Sequence, residues 1–260
     1  MLALLITRQR TGSGALGSIL HRHPKLFYTG EILHPDDRNN PHSFFSHLAD
    51  TPERAAAYAD PNTRAALVQS YFAHVTAATA PRMPVLDIKY RSLQHWNPGW
   101  QGFFDRPWLI AYARQERMPI LHLRRRNYLA TYISGRLAEA NQVWHTDDAA
   151  GLRVRSLHAP PKDVLNFLTI CVREAALMTD WLRAHERVLT LDYEDMLDQD
   201  GQMRSKIAER TAAFLQIPPF EHRNSAFIKQ APPRLADAIE NFDEVATALQ
   251  GTEFSWMAAA

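Results

Sequence analysis

An α/β fold, with a mostly parallel central sheet covered by helices on both faces, is predicted by three observations. Short apolar runs alternate with helical stretches along the whole chain, most of those runs have the continuous apolar character of interior strands, and no repeat or low-complexity tract interrupts the alternation. In order, LALLI at 2–6, KLFYT at 25–29, VLDIKY at 85–90, PILHL at 119–123 and RVLTL at 187–191 read as strands, the second being the weakest. Helical stretches are predicted at 13–21, 61–78, 103–117, 129–141, 162–185 and 203–215. HPDDRNNPH at 34–42 and the stretch 143–161, which closes on HAPP, read as loops that shape a cleft. Neither has the composition of a long flexible linker, so residues 1–260 are expected to form a single domain.

Composition narrows the function classes. With 29 Lys and Arg against 28 Asp and Glu, the net charge of +1 gives no general attraction to nucleic acid or to a membrane surface. Any anion site must therefore be local. One cysteine, Cys171, excludes an intrachain disulfide and a cysteine-rich zinc site; in NFLTICVREAALM it reads as a small core residue. No ligand cluster stands out among the 12 histidines, so no metal is expected. MLALLI is too short for a signal-peptide core or a membrane span, which predicts a cytoplasmic protein without a membrane helix.

Parallel sheets bind ligands at the carboxyl ends of their strands, which directs attention to the residues just after each run. After the first comes TRQRTGSGALG, which contains G-x-G-x-x-G at 12–17, with Glu31 nineteen residues after Gly12. By template this is a dinucleotide fingerprint with its ribose-binding acid. The polar, doubly cationic lead-in Arg8-Gln9-Arg10-Thr11 is foreign to that fingerprint, however, and the glycines lack the lysine that an ATP-binding loop requires. The glycines let several N–H groups face one anion, the helix adds its N-terminal dipole, Thr11 and Ser13 add hydroxyls, and Arg10 adds a charge. A tight turn that binds nothing is the plain alternative. After the fourth run comes Arg124-Arg125-Arg126-Asn127, with Ser134 eight residues beyond Arg126. That pair can present a guanidinium and a hydroxyl to one phosphate. The competing reading is a solvated basic edge or a nucleic-acid patch.

Together these clusters resemble the sulfotransferase family that uses 3′-phosphoadenosine 5′-phosphosulfate (PAPS). RTGSGAL at 10–16 is similar to its 5′-phosphosulfate loop and RNYLATYIS at 126–134 to its 3′-phosphate motif. HRHPKLFYTGEILHP at 21–35 is similar to the segment ending in the acceptor-facing Gly-Glu of the bacterial carbohydrate branch, which acts on trehalose or lipo-chitooligosaccharides. VLDIKY resembles the lysine-bearing strand, LTLDYEDML at 189–197 the late strand and acidic turn, and residues 229–254 the C-terminal segment. Two departures stand out. Gly14 occupies a position usually held by Thr, Ser or a bulkier polar residue, and Arg10 replaces the lysine of the cytosolic branch.

The resemblance implies a P-loop-like sulfotransferase fold. It implies that Arg10, Thr11, Gly12, Ser13, Gly14 and Ala15 hold the 5′-phosphosulfate and that Arg126 and Ser134 hold the 3′-phosphate. The catalytic residues implied are Glu31, Arg10 and Lys89: Glu31 becomes the general base for a carbohydrate, glycolipid or similar small acceptor, with His34 as the competing base, and Lys89 stabilises charge on the bridging oxygen or the sulfuryl group. Without the resemblance, Glu31 reads as a surface carboxylate and Lys89 as half of an internal ion pair. Gly17 is read as incidental helix packing, and Tyr193-Glu194-Asp195 as the start of a helix. Lys229 and Gln230 have no assigned role. Trp96, Trp100, Trp108 and Trp144 lie where they can stack on sugar rings, although aromatic residues are more often part of the core. A homodimer is compatible with the sequence, which does not specify an oligomeric state. The rival readings are an NAD(P)-dependent Rossmann oxidoreductase and a nucleotide- or RNA-binding module; a serine hydrolase is disfavoured because no G-x-S-x-G occurs.

Overall fold

In the computed structural model, residues 1–35, 39–97, 105–144, 146–148, 152–228, 232 and 234–259 are described. Five strands, β1 (Ala3–Thr7), β2 (Leu26–Glu31), β3 (Met83–Lys89), β4 (Ile120–Arg124) and β5 (Val188–Asp192), form one sheet in the order β2-β3-β1-β4-β5. Every neighbouring pair is parallel. The predicted strands are all present. The inner strands β3, β1 and β4 are largely apolar and buried because both of their faces are covered: Leu4, Ile6, Leu86 and Ile88 enter one core, while Ala3, Leu5, Val85 and Leu121 enter the other. The edge strands β2 and β5 are more polar and only partly buried.

The helices are α1 (Ser13–Arg22), α2 (Phe44–Ala49), α3 (Pro52–Ala59), α4 (Pro61–Thr79), α5 (Trp108–Gln115), α6 (Tyr128–Asn141), α7 (Pro161–Leu182), α8 (Tyr193–Met196), α9 (Ser205–Leu215), α10 (Phe242–Leu249) and α11 (Trp256–Ala259). α1 and α9 cover one face of the sheet; α2, α4, α5 and the end of α7 cover the other. A third core joins α6, the start of α7, α10 and α11. Two short helices, α2 and α3, occupy a stretch in which the sequence predicts no element. α5 begins later than the predicted 103, at Trp108, because Pro107 has no N–H to give and sits as its N-cap. Trp96 takes the core alternative and is no carbohydrate platform: its side chain is fully buried against Phe44, Tyr71 and Phe72. Trp108 stacks on Tyr112, and Trp100 lies outside the described residues.

Two topological facts position the site. From β1 the chain turns by α1 toward β2, whereas β4 lies on the other side of β1, so the crevice beyond β1 and β4 is a switch point of the kind where open sheets bind ligands. In addition, β3 lies between β1 and β2, which moves the end of β2 about 10 Å from β1. β2 also runs further than the predicted 25–29. Gly30 adopts φ +75°, the register slips between Tyr28 and Glu31, and Glu31 comes to pair with Asp87.

Candidate active site

The loop between β1 and α1 is drawn tight by its own residues. Thr11 is buried and turned inward: its hydroxyl donates to the Arg8 carbonyl (2.7 Å) and meets Thr7. Arg10 adopts φ +62°, a left-handed conformation that costs a side-chain-bearing residue energy and that the surrounding contacts must hold. Gly12 comes next but one at φ +91°, and a Cβ there would run into the Tyr193 ring. Only glycine fits. Gly12 caps α1 without a side-chain hydrogen bond, and no acid stands in the first turn, so the N–H groups at Ser13, Gly14 and Ala15 point outward with the helix dipole behind them.

Lys89, at the end of β3, ties this loop to the end of β2. Its Nζ donates to Ser13 Oγ (2.7 Å) and to both oxygens of Asp87 (2.7 Å each), and it lies 3.8 Å from Glu31 Oε2. Tyr28 donates its hydroxyl to Asp87 Oδ2 at 2.6 Å. Burial, and after it the charge of Asp87, raises the Tyr28 hydroxyl well above its ordinary pKa, so it stays a donor. Asp87 is 1% exposed, while the Glu31 side chain is 25% exposed. Two carboxylates therefore face one ammonium: the nearer is sealed, the farther reaches solvent. His34 is exposed.

The arginines sort by partner rather than by sequence. Arg8 is buried, pairs with Glu174 (2.9 Å) and lies over Phe167. Arg10 donates to Ser134 Oγ by Nε (3.2 Å) and Nη2 (3.0 Å), to the Trp144 carbonyl (2.7 Å), and lies over the Trp144 ring. Arg124 pairs with Asp192 across β4 and β5 (2.9 Å). Arg125 is buried over the Tyr193 ring and donates to the Arg10 carbonyl (3.1 Å). Burial lowers the pKa of Arg10, with the charge of Arg125 adding to it, and burial lowers that of Arg125. Neighbouring guanidinium groups held at such cost gain most from an incoming anion.

Of the residues predicted from sequence, the structure brings Lys89, Ser13 and Glu31 together, and Arg10 with Ser134. It does not join Arg126 to Ser134 directly. Arg126 is half exposed and engaged by Asp195 (3.3 Å) and Glu194 (3.7 Å). Glu194 also accepts the N–H groups of Arg126 (3.1 Å) and Asn127 (2.9 Å), acting as an internal anion ahead of α6. The run Arg124–Arg126 is therefore no continuous solvated stripe. Asp87 and Tyr28 are site residues that the motifs do not mark; the signal that finds Asp87 is the i, i+2 spacing that puts it on the same face of β3 as Lys89. Gly17 is also more than incidental helix packing, since the Tyr28 ring lies where its Cβ would be. Tyr193–Met196 is the short helix expected there. Lys229 and Gln230 lie outside the described residues. Among the described residues no cluster of three or more His, Cys, Asp or Glu is placed to hold a metal, and no helix is long and apolar enough to cross a membrane.

No family profile and no curated protein matches the chain. Among solved structures, it is similar to a sulfotransferase from Alicyclobacillus acidocaldarius at 12% identity and TM-score 0.49, covering 100% of this chain and 93% of that one. It is similar to the sulfotransferase domain from the curacin biosynthetic pathway at 16% identity and TM-score 0.48, covering 84% and 74%. It is similar, too, to the sulfotransferase domain of the Synechococcus PCC 7002 olefin synthase at 17% identity and TM-score 0.46, covering 96% and 86%.

Proposed function

We propose that this chain transfers a sulfuryl group from PAPS to a hydroxyl of a carbohydrate, glycolipid or similar small acceptor. The observation that carries the reading is the contact of Lys89 with Ser13 of the glycine loop on one side and Glu31 on the other. It sets a cation between a helix N-terminus that has no side-chain capping bond, suited to an anion, and a partly exposed carboxylate, suited to a hydroxyl.

The donor set suits a phosphosulfate: outward N–H groups at residues 13–15, the Ser13 hydroxyl, and the charges of Lys89 and Arg10. PAPS supplies the activated sulfuryl group. Glu31 takes the proton of the acceptor hydroxyl as its oxygen bonds to sulfur; the bond from sulfur to the phosphate oxygen breaks, and adenosine 3′,5′-bisphosphate leaves with the electron pair. Lys89 and the loop donors balance the charge that gathers on the leaving oxygen. Ser134, already paired with Arg10, and Arg126, once it exchanges its carboxylates, bind the 3′-phosphate.

The dinucleotide reading is disfavoured by strand order. In a dinucleotide fold the strand bearing the ribose acid is the direct neighbour of β1, whereas here β3 stands between them and Glu31 faces Lys89 of β3 at 3.8 Å. The RNA-binding reading loses its basic stripe to Asp192, Glu194 and Asp195.

The test is incubation of purified protein with labelled PAPS and a panel of sugars and glycolipids, reading the mass increment on the acceptor and the release of bisphosphate. Absence of tight bisphosphate binding overturns the reading. Glu31→Gln is expected to abolish turnover and spare bisphosphate binding; full activity in that variant moves the base elsewhere, with His34 the next residue to test. Arg126→Ala is expected to weaken binding of the 3′-phosphorylated nucleotide more than that of its 5′-only counterpart.

A further inference from the structure

We propose that Asp87 is the positioning residue of this site: it holds the Lys89 ammonium at Ser13, is itself held by Tyr28, and leaves Glu31 as the carboxylate that receives the proton. The inference rests on the reading of the cleft as a sulfuryl-transfer site.

Three observations carry it. Lysine is a long side chain with several free rotations, and an ammonium alone does not choose among its partners. Here both Asp87 oxygens lie 2.7 Å from Nζ, against 3.8 Å for Glu31, and Asp87 is almost wholly buried. The shorter, drier contact holds the stronger claim on the charge. Asp87 and Lys89 also stand two residues apart on β3, so their side chains leave the same face of the sheet, the face covered by α1. Their pairing turns Nζ toward the α1 N-terminus, where Ser13 Oγ meets it. Finally, Asp87 is engaged on both oxygens, by Lys89 and by the Tyr28 hydroxyl at 2.6 Å. Buried as it is, it is closed to an acceptor. Glu31 is the acid with solvent contact.

Tyr28 extends the device into α1. Its ring reaches Asp87 by lying over Gly17, at the place where any side chain would stand. The third glycine of G-x-G-x-x-G thus admits the tyrosine that orients Asp87, which orients the lysine at the loop formed by the first two.

The experiment compares wild type, Asp87→Asn, Tyr28→Phe, Lys89→Met and the double variant Asp87→Asn/Lys89→Met. The first readout needs no donor: the 15Nζ resonance of Lys89, assigned by its loss in Lys89→Met. A protected, slowly exchanging ammonium is expected in wild type and its loss by exchange in Asp87→Asn; an unchanged resonance overturns the proposal. The second readout is kinetic. Asp87→Asn is expected to lower kcat about 100-fold, with bisphosphate Kd and acceptor KM held within about threefold. It should have no further effect in the Lys89→Met background, where a merely structural role would still add its loss. Should Asp87→Asn fail to fold, Tyr28→Phe, which keeps the ring over Gly17, is expected to lower kcat about tenfold on the same pattern, and wild-type kcat in that variant overturns the proposal. Failure of wild type to bind the bisphosphate sinks the sulfuryl-transfer reading. Wild-type turnover with undiminished kcat in Asp87→Asn sinks the role of Asp87 alone.

Discussion

Gly12 and Gly17 stand five residues apart and answer to different aromatic rings, Tyr193 and Tyr28. At Gly17 the backbone is ordinary helix and only space forbids a methyl group; at Gly12 a positive φ forbids it as well. Gly17→Ala is therefore expected to destabilise the fold by about 1–3 kcal/mol through displacement of the tyrosine, read as a lower urea midpoint at unchanged slope. Gly12→Ala is expected to cost at least about 1–2 kcal/mol from its backbone alone, and also to weaken bisphosphate binding in calorimetry because the loop amides lose their aim. Both glycines are legible in the sequence as members of a loop. What each makes room for is not, because Tyr193 lies some 180 residues further along and Tyr28 meets Gly17 only through the packing of β2 against α1.

Among the elements, the start of α6 shows how a turn in one strand-to-helix connection is held by another. Asn127 caps the helix by accepting from Ala130 N–H (2.9 Å), donates to the Met257 carbonyl (3.0 Å), and presents its own N–H to Glu194. Asn127→Ala is expected to destabilise by about 1 kcal/mol for the cap, and more if the buried Met257 carbonyl stays unpaired, as thermal unfolding would show. The inner strands are legible because a run covered on both faces has to be largely apolar, whereas β2, at an edge and half polar, is the weakest signal. α3 lies outside the predicted elements although its bounds are written plainly. Thr51-Pro52 opens it and Asp60-Pro61 opens α4, each pair placing a capping side chain before a proline, and both caps form. α2 carries no such mark, since Ser43 at its N-cap makes no side-chain capping bond. The late start of α5 is likewise legible in Pro107. The residues at the strand ends can be found from sequence, but their pairings cannot. Those depend on strand order, which no local pattern specifies.

For the whole molecule, acid is the informative variable. Burial, and after it the charge of Arg124, pushes His122 down to about 3, where its ring meets the Tyr90 hydroxyl at 2.6 Å. His42, His47, His95 and His185 are lowered too, each first by burial. An unfolded histidine takes up a proton below about 6.5, whereas these folded ones resist it. Their contribution is therefore complete above that pH and is lost as pH falls toward the folded values. For His122 the window runs from about 6.5 to about 3, with a slope of up to about 1.4 kcal/mol per pH unit. Melting temperature is expected to fall through this range, and His122→Gln is expected to flatten the fall.

Arg10 also makes the molecule its own indicator. Its guanidinium lies 5.9 Å from the centre of the Trp144 ring, and that ring is 53% exposed, whereas Trp96 is sealed in the core. A positive charge beside an indole shifts its emission. An anion that draws Arg10 away therefore changes the light from Trp144, which a Trp144→Phe variant separates from that of Trp256, also exposed. Titration with adenosine 3′,5′-bisphosphate is expected to move the emission of the wild type, and Trp144→Phe to abolish that change while binding persists in calorimetry. Occupancy of the cleft then becomes readable by fluorescence alone, before any acceptor has been identified.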